Sequence, residues 1–79
     1  MELRFPLSPG QIDVARSRLL SLGIPLTGNS GTLTAKGITA EYEYGGGYLV
    51  VRVMKKPTLI SNSLVKAKVE EWLGVRAEP

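Results

Sequence analysis

Seventy-nine residues make one domain and not two, and a chain of this size has only a thin core. It contains no cysteine and no histidine, which excludes disulfides, the usual zinc sites, thiolate nucleophiles and imidazole acid–base chemistry. Ten basic against seven acidic side chains give a net charge of +3, mild enough for an ordinary solvated surface, and no apolar run is long enough to cross a bilayer.

Leu3, Phe5 and Leu7 alternate with Glu2, Arg4 and Pro6. This pattern fits either a short edge strand, where Pro6 is tolerated, or a merely extended lead-in. Ser8-Pro9-Gly10-Gln11 is a capping box with proline at the first helical position. Leu7 and Ile12 are spaced as a hydrophobic staple across it. Ile12, Ala15, Leu19 and Leu22 then recur at helical spacing, with Asp13, Arg16 and Ser17 towards the other side. Gly23, Ile24 and Pro25 supply a left-handed stop, so the first helix is expected over 9–22.

After the turn-rich stretch from Thr27 to Gly31 the period changes from helical to two. Leu33 and Ala35, then Ile38, Ala40 and Tyr42, then Leu49, Val51 and Val53 form the apolar positions of three strands. A two-residue turn at Lys36-Gly37 pairs Ala35 with Ile38 and Leu33 with Ala40. A second tight turn at Gly45-Gly46 pairs Tyr42 with Leu49, Ala40 with Val51 and Ile38 with Val53, and sets Thr39 against Arg52.

Pro57 ends the third strand. Ser61 or Asn62 caps a second helix whose apolar stripe is Val65, Val69, Trp72 and Leu73, with Lys66, Ala67, Glu70 and Glu71 facing water. Gly74-Val75 repeats the stop signal, and Arg76 to Pro79 read as a frayed tail. The whole chain, 1–79, is therefore expected to be a single α+β domain. It is a two-layer sandwich in which a three-stranded antiparallel meander carries two helices on one face, in the order β-α-β-β-β-α or α-β-β-β-α.

Few residues suit catalysis. Glu41 and Glu43 share one strand face but fit the solvated side of a hairpin, and Glu70-Glu71 lies on a polar helix side beside Lys66 and Lys68. Gly45-Gly46-Gly47 leads from strand to strand, whereas a phosphate-cradling loop leads into a helix. No enzyme activity, cofactor or metal is expected.

The basic residues Arg52, Lys55, Lys56, Lys66 and Lys68 could form one phosphate-binding patch if the second helix folds back beside the strand end. Lys55 and Lys56 better suit gatekeepers beside the apolar run from Tyr48 to Met54, since the net charge is small and few aromatics lie among the basic residues. The order helix, three antiparallel strands, helix resembles the double-stranded RNA-binding domain. In that family a Lys-Lys-x-Ala-Lys run opens the second helix and holds phosphates. Here Lys55-Lys56 precedes Pro57, Lys66-Ala67-Lys68 comes a helical turn after the cap, and the family's histidine-bearing hairpin is missing. Nucleic-acid binding is thus the alternative expectation.

Two helices cover only one face of so small a sheet. The other face carries Tyr48, Val50, Arg52 and Met54, more apolar than solvent requires. The leading expectation is a non-enzymatic domain that works by protein–protein contact, chiefly self-association as a homodimer, face to face or edge to edge. No membrane partner is expected, and with no signal peptide visible the cytoplasm is the expected location.

Overall fold

A computed structural model describes residues 1–78. The elements are β1 (Glu2–Pro6), α1 (Pro9–Ser21), β2 (Ser30–Ala35), β3 (Ile38–Gly45), β4 (Tyr48–Lys55) and α2 (Asn62–Leu73). The strands form one antiparallel sheet in the order β1-β4-β3-β2, so the fold is a small α+β sandwich with an open sheet. Buried residues from the sheet and from both helices make one cluster, which places both helices on the same sheet face.

The N-terminal alternation is a strand. Leu3 lies opposite Val51 and Phe5 opposite Leu49, and Phe5 is fully buried. Val53 N–H donates to Met1 O at 2.8 Å and Leu7 N–H to Gly47 O at 2.9 Å. Odd-numbered residues of β1 therefore turn their backbone groups to β4 and even-numbered ones turn theirs to the edge. Pro6 falls on the edge side, where its missing N–H breaks no ladder bond.

The capping box forms as the spacing demands. Ser8 N–H donates to Gln11 Oε1 at 2.8 Å, and Gln11 N–H to Ser8 Oγ at 3.3 Å. Ile12, Ala15 and Leu19 are buried, but Leu22, expected on the same stripe, is the C-cap and is exposed. Its place in the core is taken by Ile24 and Leu26, because Gly23 at φ +79° reverses the chain and Ile24 N–H returns to Leu19 O at 2.8 Å. Arg16 then holds the connector, donating to Leu26 O at 2.7 Å, to Gly28 O at 2.8 Å and to Asn29 Oδ1 at 3.2 Å.

The first hairpin has the expected register, with Ala35 opposite Ile38 and Leu33 opposite Ala40. The second does not. Its turn residues are Gly46 and Gly47, at φ +59° and +81°, in place of Gly45 and Gly46. Tyr42 consequently faces Val51 rather than Leu49, Ala40 faces Val53 rather than Val51, and Arg52 meets Glu41 rather than Thr39. A slide of two residues keeps every side chain on the same face, so apolar alternation permits both registers. The observed turn gives Tyr44 a partner in Leu49. A bulge at Met54 then sets Thr39 opposite Lys55.

Two tyrosines on the core face of β3 reach the segments flanking α1. Tyr42 Oη donates to Thr27 O at 2.6 Å and Tyr44 Oη to Leu7 O at 2.8 Å. Gly31 lies under the Tyr42 ring, where an added Cβ would come within 2.8 Å of the phenol oxygen.

Ser61 is the N-cap of α2, accepting from Leu64 N–H at 3.2 Å, and Val65, Val69, Trp72 and Leu73 are buried as the stripe requires. Gly74 ends the helix at φ +75°, and Arg18 of α1 lies across it, donating to Glu71 O at 3.1 Å. That guanidinium complements the carbonyl end of α2. The residues after it are docked, not frayed. Ala77 N–H donates to Glu70 Oε2 at 2.9 Å and Glu78 N–H to Arg4 O at 2.7 Å, on the outer edge of β1. Pro79, the last residue of the expected tail, lies outside the described residues.

Two substitutions check this architecture. Phe5→Ala should destabilise the fold by about 3–5 kcal/mol in urea unfolding, a loss an appended strand would not produce. Lys36, at φ +55°, is the one non-glycine residue with positive φ among those described. Lys36→Asn should raise stability by about 0.5–1 kcal/mol, because asparagine tolerates the left-handed turn position better.

Candidate functional site

The face of the sheet away from the helices is crossed by two charged rows. One runs Thr32, Glu41, Arg52, Glu2 and the next Ser30, Glu43, Val50, Arg4. Arg52 Nε lies 3.4 Å from Glu2 Oε2, and the Arg4 guanidinium sits 4.7 Å from the centre of the Tyr48 ring. Tyr48, Val50 and Arg52 thus lie together on the outer face as the alternation requires. Met54 belongs to the bulge at the sheet's far end and is exposed. The face is less apolar than the meander alone implies, because β1 adds Glu2 and Arg4 beside β4 and the arginine covers part of Tyr48.

The five basic residues are divided between layers. Arg52 is on the outer face, and Lys55 stands opposite Thr39 at the end of the same sheet. Lys56 Nζ donates to Ile60 O and holds the loop before α2. Lys66 and Lys68 are on α2, whose stripe packs on the opposite side of the sheet, and Lys68 Nζ lies 3.7 Å from Glu71 Oε2. Folding therefore does not bring Arg52 together with the two helix lysines. Proximity in sequence suggested a cluster that the two-layer geometry separates.

Glu41 and Glu43 stand on the outer side of β3, next to Thr32 and Ser30 of β2, and no ion pair joins either among the described residues. Among those residues no polar or charged side chain is buried. The interior holds an apolar void of about 20 Å³ lined by Leu26, Leu33, Ala40, Trp72 and neighbours, which is too small for an organic ligand.

The sheet's two edges differ in a way the sequence did not suggest. The β1 edge carries Pro6 and is met by Glu78 N–H. The β2 edge, Ser30-Gly31-Thr32-Leu33-Thr34-Ala35, has no proline and no charge. Asn29 O accepts from Tyr44 N–H at 2.6 Å, so β2's odd-numbered residues bond to β3 and its even-numbered ones point outward. The backbone groups of Ser30, Thr32 and Thr34 have no hydrogen-bond partner among the described residues beyond that edge. An uncharged segment at the end of a strand order is the signal, but strand order is invisible until β1 is known to take the other edge.

No protein-family model, no curated protein and no solved structure matches the chain. The likeness to the double-stranded RNA-binding domain therefore rests on the order helix, meander, helix alone, and β1 is an additional strand in the sheet.

Arg52 and Glu2 are both about half exposed, so their ion pair is well screened. Glu2→Gln should change unfolding free energy by less than about 1 kcal/mol, and 1 M salt should abolish even that difference.

Proposed function

We propose that this chain is a non-enzymatic protein-binding domain that works by self-association through its sheet. The observation that carries the proposal is the open sheet: both helices lie on one side, leaving the outer face and the β2 edge uncovered. A small domain without disulfides or Cys/His metal sites gains most from burying such surface against another chain. The outer-face residues Tyr48, Val50, Arg52 and Met54 and the uncharged β2 strand are the candidate contact elements.

The absence of histidine and cysteine, with no polar side chain buried among the described residues, supports a binding role over catalysis. The division of Arg52, Lys55, Lys56, Lys66 and Lys68 between layers favours protein over nucleic acid as the partner, since a phosphate track needs adjacent cations.

Multi-angle light scattering at micromolar concentration is the direct test. The expected mass is twice the 8.5 kDa of the chain. A single species of 8.5 kDa across that range removes self-association as the function.

A further inference from the structure

Resting on the self-association reading, the geometry points to one contact: we infer that two copies pair antiparallel through β2, with Thr32 on the two-fold axis, to form a continuous eight-stranded sheet. The outward backbone groups of β2 belong to Ser30, Thr32 and Thr34. About an axis at Thr32 they satisfy one another completely. Thr32 exchanges both its hydrogen bonds with Thr32 of the second copy, and each Ser30 does the same with Thr34 across the axis.

The side chains fit the same register. On the core side Leu33, which is only partly buried, would lie opposite Gly31 of the second copy. That glycine has no side chain to obstruct it, and Tyr42 already requires a glycine there. On the outer side threonine meets threonine, a favourable cross-strand pair. Residues 30–35 carry no charge, so two chains of net charge +3 meet without like charges opposed along the strand. The outer face, by contrast, carries Glu2, Arg4, Glu41, Glu43 and Arg52, and stacking it would desolvate all five.

A second copy is the fitting occupant because, among the described residues, each chain offers one such edge. The β1 side is closed by Pro6 and by the Glu78-to-Arg4 bond. A β1-to-β2 contact, which would repeat into a fibre, is thereby blocked, whereas β2-to-β2 closes on itself.

The chain's lack of cysteine makes the test clean. Across the axis the two Thr32 Cα atoms would be about 5.5 Å apart, within disulfide range. The two Thr34 Cα atoms would be displaced by roughly 13 Å along the strand, beyond it. On mild oxidation Thr32→Cys should give a covalent dimer, while Thr34→Cys, on the same edge, should stay a monomer in denaturing gels. Thr32→Pro removes an outward N–H and no internal ladder bond, and should weaken the dimer at least about tenfold by light scattering. Equal cross-linking of the two cysteine variants, or a folded Thr32→Pro dimer of wild-type strength, overturns the β2 contact while leaving self-association standing. A wild-type chain that stays at 8.5 kDa overturns both.

Discussion

The pairing of β1 with β4 is the constraint on which the rest of the structure depends. It carries Leu3 and the fully buried Phe5 into the layer beneath the helices, and it brings Leu7 to the start of α1. It also determines what the molecule shows to solvent. With β1 on that side, Glu2 and Arg4 line the outer face, β4 becomes a central strand, and the one edge left bare among the described residues is β2. A three-stranded meander would have exposed β4 and its apolar run instead. The identity of the accessible surface thus follows from where six N-terminal residues dock.

Local chemistry made much of this fold legible from sequence. Ser8 and Gln11 satisfy each other's backbone groups without help from the rest of the chain, so the capping box is a local fact with a local signature. The α2 stripe is similarly self-evident, since a single helical period selects Val65, Val69, Trp72 and Leu73. The turn at Lys36-Gly37 was readable because only one tight turn there keeps apolar residues opposite apolar ones. At Gly45-Gly46-Gly47 that rule loses its power. Three consecutive glycines offer two turns that differ by two residues in register, and both keep the apolar faces together. The choice falls to Tyr44, whose strand partner is Leu49 and whose phenol bonds to Leu7, a residue far from it in the chain.

The candidate surface shows the same division. Tyr48, Val50 and Arg52 share the outer face because alternation along one strand is sufficient to put them there. The cluster of Arg52 with Lys66 and Lys68 required a relation between elements, and the helix layer lies on the far side of the sheet from Arg52. The docking of residues 75–78 against β1 and α2 depends on a backbone carbonyl of Arg4 and on Glu70, and neither leaves a mark in the residues that dock. The open β2 edge was unreadable for a related reason, since an edge is defined by what fails to pair with it.

The two phenol bonds of β3 have a consequence for motion. Tyr44 fastens the segment entering α1 and Tyr42 the connector leaving it, and Arg16 ties that connector again from within the helix. A helix held at both ends by the central part of the sheet has no free end from which to peel. Its amides are therefore expected to open to solvent together with the strands and not as a separate, weaker unit. In a domain this small, that makes α1, the sheet and the connector between them one cooperative block.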